Sequence, residues 1–115
     1  MDPDQCLFCK IASGEIPAQI VGRSDDALAF RDLNPQAPTH LLVIPKRHVE
    51  HLSEFMSTAS AAEVHALFAL AADLGTQASP SGYRVVTNEG VDAGQSVFHL
   101  HLHVLAGRAM RWPPG

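Results

Sequence analysis

Apolar positions recur along this chain with two different periods. Val64, Leu67, Phe68, Ala71 and Leu74 fall at i, i+3, i+4, i+7 and i+10, one stripe of an amphipathic helix. Ser60 stands ahead of the stripe with Glu63 three residues on, the spacing of a capping box. Gly75 predicts the stop. Val97 to Leu105 instead alternates with period two and predicts the last strand. Shorter strands are predicted at Ile20 to Val21 and Ala27 to Arg31, around a turn at Ser24-Asp25-Asp26, at Leu41 to Ile44 before Pro45, and at Tyr83 to Asn88. Cys6 to Gly14 reads as a short helix, and His48 to Phe55 as a helical turn or two. Asn34-Pro35-Gln36-Ala37-Pro38 cannot be regular, because proline restricts the residue before it. The order favours an α+β fold: an antiparallel sheet of about five strands, one long helix over one face, and one or two short helices. Residues 1–115 are expected to form a single domain. A sheet this small exposes its edges, which invites pairing with a second copy of the chain.

Composition narrows the classes of function. Of the 115 residues 46% are hydrophobic and 17% charged, enough for a packed core and against disorder. Net charge is −4 and no basic block appears, which disfavours bulk nucleic-acid binding. A small anion can still be bound, because such a site needs local donors rather than net positive charge. The apolar runs fall far short of the ~20 residues a membrane helix needs. Met1-Asp2-Pro3-Asp4 is acidic and lacks the basic start of a signal peptide, so a cytoplasmic protein is expected. In a reducing compartment the two cysteines, Cys6 and Cys9, more often bind metal or do redox chemistry than staple the fold.

The chemistry concentrates near the C-terminus, where His99, His101 and His103 alternate with leucines. On a strand all three imidazoles share one face. Such groups act as nucleophile, acid, base or metal ligand near neutral pH. The outer two would stand about 13 Å apart, too far for one metal ion, so the three must divide their roles. Just upstream, Asn88-Glu89-Gly90 and Gly94-Gln95-Ser96-Val97 offer an amide, a hydroxyl and free N–H groups suited to a phosphoryl oxygen. Alone, Gly-Gln-Ser would simply be a tight loop; beside three histidines an imidazole could attack phosphorus there. Cys6-Leu7-Phe8-Cys9 could be a redox pair, but no strand precedes it as a βαβ redox motif requires. Structural zinc needs four ligands, and two reduced cysteines packed as small hydrophobes are the plain alternative.

His99-x-His101-x-His103 followed by apolar residues resembles the histidine-triad (HIT) motif. Phe30-Arg31-Asp32, Pro35-Gln36-Ala37-Pro38-Thr39-His40, Val43-Ile44-Pro45-Lys46, Val86-Thr87-Asn88-Glu89-Gly90, Gly94-Gln95-Ser96-Val97 and Trp112-Pro113-Pro114-Gly115 resemble its Hint branch, so the likeness covers nearly the whole chain. It implies a hydrolase that cleaves the P–N bond of purine nucleoside 5′-phosphoramidates through a covalent nucleotidyl-histidine. By that resemblance His101 is the nucleophile, and His103 and Ser96 bind phosphoryl oxygens or assist the leaving amine. Asn88, Gly94, Gln95 and the Val97 N–H complete the pocket, Asp32 takes the ribose hydroxyls, and Phe30 and Leu33 line the base. His40 lies behind the nucleophile and orients it. Arg31 departs from the histidine of animal members. Bacterial members with this N-terminus imply one zinc per chain on Cys6, Cys9, His48 and His99, with His51 competing with His48. Animal members lack the cysteine pair, which implies a structural metal and no cofactor in the reaction. The resemblance also implies a homodimer in which the Trp112 tail approaches the partner's site. Two other activities remain open: a dinucleoside polyphosphate hydrolase of Fhit type, and a nucleotide-binding scaffold with vestigial catalysis. The related uridylyltransferases carry glutamine at the position of His103. His65, beside the helix stripe, receives no role.

Overall fold

A computed structural model describes residues 2–115. Five strands form one antiparallel sheet: β1 (Ile20–Arg23), β2 (Ala27–Arg31), β3 (Thr39–Pro45), β4 (Arg84–Val86) and β5 (Leu102–Ala106), in the order β1-β2-β3-β5-β4. Three α-helices accompany it: α1 (Leu7–Ala12), α2 (Leu52–Thr58) and α3 (Ala61–Ala78). This is the expected α+β architecture. None of the described helices is long and apolar enough to cross a membrane.

The sheet is covered on both faces. Ala27, Ala29, Leu41, Val43, Leu102 and Val104 turn one way, onto Leu67 and Ala71 of α3 and onto Phe55 of α2. The alternate residues Leu28, Phe30, Leu42 and Ile44 turn the other way and meet Cys6, Phe8 and Ile11, which lie on and just before α1. The sequence pattern predicts cover on one face only. The continuous burial of β3 from His40 to Pro45 is the mark of a strand enclosed on both sides.

Helix α3 starts as its spacing predicts, with the Ser60 hydroxyl accepting the Glu63 N–H at 3.1 Å. It does not stop at Gly75. The helix runs on to Ala78, and Gly75 is a site of close approach, since a Cβ there would lie 2.4 Å from the Tyr83 ring. Phe68, at the margin of the stripe, is 40% exposed. Helix α2 begins later than the predicted His48, because the His51 side chain caps it by accepting the Glu54 N–H at 3.3 Å. Strand β4 is shorter than the predicted Tyr83 to Asn88, and Thr87 spends its hydroxyl on the His101 carbonyl at 2.9 Å.

The last strand departs most from expectation. Pairing with β3 begins at Val43↔Leu102 and ends at Thr39↔Ala106. Residues 97–101 precede the ladder, so His103 is the one histidine of the run inside a strand. The predicted common face for all three imidazoles is therefore corrected. The segment is held by separate bonds, the Leu100 N–H to the Val49 carbonyl at 2.8 Å among them. It carries His99 inward to full burial and leaves His101 half-buried.

Candidate active site and metal centre

Backbone partners fix the protonation of each imidazole. His101 Nδ1 faces the carbonyl oxygen of His99 at 2.8 Å, and a carbonyl only accepts, so Nδ1 carries the hydrogen. The neutral ring then has a bare Nε2. His40 Nδ1 receives the Gln36 N–H at 3.0 Å, so it is bare and His40 Nε2 carries the hydrogen. That hydrogen is donated to His103 Nδ1 at 2.9 Å, with Asp32 Oδ2 as a second acceptor 3.4 Å away. His103 in turn keeps its hydrogen on Nε2. Two adjacent rings, with centroids 5.0 Å apart, thus present opposite chemistry: His101 a lone pair, His103 a donor.

Electrostatics keep these rings neutral. Burial lowers the pKa of His101, partly opposed by its bond to the His99 carbonyl. Burial, helped by the neighbouring His101 and His40, brings His103 down to about 4. His40 is lowered by burial against the opposing pull of Asp32. All three are neutral at physiological pH, as the tautomers require.

His101 and His103 line a cavity of 310 Å³. Of the residues expected around a nucleotide, Phe30, Asp32, Leu33, Ser96 and Val97 also line it. Leu33 is fully exposed at its rim. Asn88, Gly94, Gln95 and His40 are not in its wall. His40 is buried behind His103. Gln95 is buried too, its amide bonded to the carbonyls of Glu50 and Val97 and its oxygen to the Gly90 N–H, so it holds the loop together. Gly94 supplies a left-handed turn at φ 94° after a short 3-10 turn. Asn88 is half-buried upstream. A larger cavity of 640 Å³ near Ser79, Arg84 and Arg108 includes no histidine or cysteine in its wall.

Sequence reasoning missed several contributors. Phe8 meets the His101 ring edge-on at 5.1 Å, and Ile16 and Ala18 add apolar wall. The Gln36 N–H and the Pro45 carbonyl set histidine tautomers. Backbone groups and a lone phenylalanine leave no pattern in a single sequence that would single them out.

The ligand atoms of Cys6, Cys9, His48 and His99 all lie within 4.8 Å of one another. Cys9 Sγ is 3.2 Å from His48 Nδ1 and 3.4 Å from His99 Nδ1, and Cys6 Sγ is 3.4 Å from His99 Nδ1. Tetrahedral zinc, with bonds of about 2.3 Å to sulfur and 2.0–2.1 Å to nitrogen, sets S···N edges of about 3.6 Å, close to these distances. His99 Nε2 donates to the Pro45 carbonyl at 2.8 Å, which leaves Nδ1 bare toward the sulfurs, as a ligating histidine requires. Burial also brings His99 down to about 4. His48 turns Nδ1 to the Cys9 sulfur, and its Nε2 is buried with no hydrogen-bond partner among the described residues. His51 lies outside this cluster, capping α2 and 3.7 Å from Glu89.

Asp32, His40 and His103 form a second group close enough for a metal ion. Their wiring argues against one. The outer nitrogen of His40 faces an N–H donor, so its inner nitrogen cannot give up its hydrogen without leaving an imidazolate. The Cys/His cluster fits a metal, and the Asp/His group is a hydrogen-bond relay.

The HIT domain family matches residues 13–110. The chain belongs to the HIT family. A HIT-like protein of Synechococcus elongatus is 46% identical over 112 residues, covering 97% of this chain and 98% of its own. The 14 kDa zinc-binding protein of Zea mays is 41% identical over 128 residues, covering 100% of this chain and 91% of its own. Among solved structures, a HIT family hydrolase from Legionella pneumophila superposes with a TM-score of 0.86 at 46% identity, covering 96% of this chain and 100% of that one. A histidine triad protein from Clostridium difficile reaches 0.84 at 40% identity, with 96% and 97% covered. The HIT fold found here is thus shared with relatives close enough in sequence to share its local geometry.

Proposed function

We propose that this HIT protein hydrolyses the P–N bond of purine nucleoside 5′-phosphoramidates and releases the nucleoside monophosphate. The observation that carries the reading is the bare Nε2 of His101 in the wall of a nucleotide-sized cavity beside a neutral N–H donor on His103. The Legionella relative named a hydrolase supports the reaction class.

Nε2 of His101 attacks phosphorus as the bond to the amine nitrogen breaks, the nitrogen taking a proton from solvent water and leaving as the neutral amine; a second water then cleaves the nucleotidyl-histidine, its oxygen going to phosphorus and its proton to solvent. Nδ1–H stays on the His99 carbonyl, which stabilises the positive charge the ring acquires. With its pKa near 4, His103 is a poor proton source at neutral pH. Its Nε2–H instead stabilises a phosphoryl oxygen, together with the Ser96 hydroxyl and the Val97 N–H. Asp32 accepts the ribose hydroxyls: Oδ1 already takes the Asn34 N–H at 2.8 Å, and each oxygen has a further lone pair. The base rests on Phe30 and Leu33. Gly94 and Gln95 shape the loop that carries Ser96, and Asn88 borders it.

An adenosine 5′-phosphoramidate reporter should be turned over by the purified protein. His103→Ala should keep a measurable remnant, with kcat down by about 10²–10³ for the loss of one oxyanion donor. No turnover with intact adenosine monophosphate binding would favour the scaffold reading.

Zinc is our assignment for the Cys6–Cys9–His48–His99 cluster, supported by the maize relative's name and by the donor set. We also propose one HIT domain spanning the chain, working in the cytoplasm, where its thiols stay reduced, and as a homodimer. The three-residue edge strand β4, whose central Val85 is 40% exposed, supports pairing. Trp112, 83% exposed, is available to a partner's site. Light scattering should give twice the chain mass, and a single-chain mass at working concentration would overturn the dimer.

A further inference from the structure

The nucleophile hangs from the metal cluster by two contacts, neither of which belongs to the sheet. Residues 97–101 lie outside the β-ladder, so no strand pairing sets the orientation of the His101 ring. Its Nδ1–H is held instead by the carbonyl of His99 at 2.8 Å. His99 is fully buried and anchored at both ring nitrogens, by the Pro45 carbonyl on one side and the cysteine sulfurs on the other. The second contact comes from α1. Phe8 stands between the two cysteines in sequence and meets His101 edge-on at 5.1 Å and 89°, and His99 at 6.0 Å and 66°. Whatever draws Cys6, Cys9 and His99 together therefore sets both the carbonyl under the ring and the phenyl edge against it.

We propose that the Cys6–Cys9–His48–His99 centre, when it holds its ion, aligns the His101 imidazole through the His99 carbonyl and the Phe8 ring. The proposal rests on His101 being the nucleophile of the reaction above. The ion takes no part in the chemistry. His99 and Phe8 are positioning residues: the bonds of Leu100 to Val49 and of Thr87 to the His101 carbonyl hold the backbone of this segment, and the metal centre acts on the ring. Small errors in the direction of attack weigh heavily, since a displacement of about 1 Å can cost on the order of a hundredfold in rate.

The test compares the zinc-loaded full chain with the same chain after chelation, with zinc content measured in both. Steady-state kinetics on the phosphoramidate reporter should show kcat down by about 10–100-fold in the metal-free form. KM and adenosine monophosphate affinity should stay within about threefold, because Phe30, Asp32, Ser96 and Val97 of the cavity wall lie outside the cluster and α1, and added zinc should restore kcat. A readout independent of turnover is the ring 15N–1H signal of His101 Nδ1, sharp in the loaded protein and broadened or lost in the stripped one. Should the stripped chain unfold, Phe8→Leu keeps all four ligands. It should bind a full zinc complement and still show the kcat loss and the broadened His101 signal. Unchanged kcat and an unchanged signal in either folded protein would overturn the proposal, as would a chain that takes up no metal. If the loaded wild type shows no turnover while the His101 signal still follows zinc, the phosphoramidase reading fails and the alignment stands.

Discussion

His101→Ala should abolish phosphoramidate hydrolysis, lowering kcat/KM by at least about 10⁴-fold, the scale of losing a covalent nucleophile. Nothing nearby can replace it. His103 spends its lone pair on the hydrogen of His40 and presents N–H to the cavity. His40 is buried behind His103, and its own bare nitrogen is occupied by the Gln36 N–H. His99 is fully buried with Nδ1 turned to the cysteines. The variant should still bind adenosine monophosphate, because Asp32, Ser96, Val97 and Phe30 remain in the wall. Rapid denaturation during turnover, followed by mass spectrometry, should find a nucleotidyl adduct on the wild type and none on the variant. A His101→Ala rate near that of the wild type would sink the assignment.

Periodicity revealed elements more faithfully than their ends. The stripe from Val64 to Leu74 located α3, but Gly75 looked the same whether it ended the helix or made room for a ring, and Tyr83 decided in favour of the ring. The alternation of His99 to Val104 with apolar partners was equally ambiguous. An extended strap and a paired strand both alternate, and β3 ends in Pro45, which has no N–H to offer a longer ladder. Reach said only that the three histidines could not all share one metal, on a straight-strand premise that β5 does not meet, and the roles came from the family resemblance. His48 joins Cys9 across 39 residues, a pairing that only the family resemblance suggested. Gln95 looked like a phosphate ligand because its neighbours do, yet its amide has three backbone partners to satisfy inside the loop. Tautomers depend on backbone groups that every residue carries, so composition and spacing are silent about them.

Zinc should raise the melting temperature by roughly 15–20 °C when free zinc exceeds its dissociation constant about a thousandfold, equivalent to ~4 kcal/mol in a domain of this size. The metal-free cluster is poorly matched to burial. Desolvation and the neighbouring Cys6 push the Cys9 thiol up to about 11, so its sulfur stays protonated against a His99 imidazole that burial keeps neutral. Zinc would replace the thiol protons, releasing them to solvent, and would turn three weak sulfur–nitrogen contacts into four ligand bonds joining α1, the segment after β3 and the segment before β5. Otherwise α1 meets the segment before β5 through the apolar packing of Phe8, Ile11 and Val97, and the segment after β3 meets it through the Leu100 N–H on the Val49 carbonyl. Cys6→Ala should remove the zinc-dependent increment, with a cost in the presence of chelator of about 1 kcal/mol for the lost N-cap of α1, where the Cys6 sulfur accepts the Cys9 N–H. Calorimetry of both proteins with zinc and with chelator measures the difference directly, alongside metal analysis of freshly purified wild type. Equal melting in the two conditions, or zinc near zero per chain, would remove zinc from the account and leave the Cys6–Cys9 pair as core packing alone.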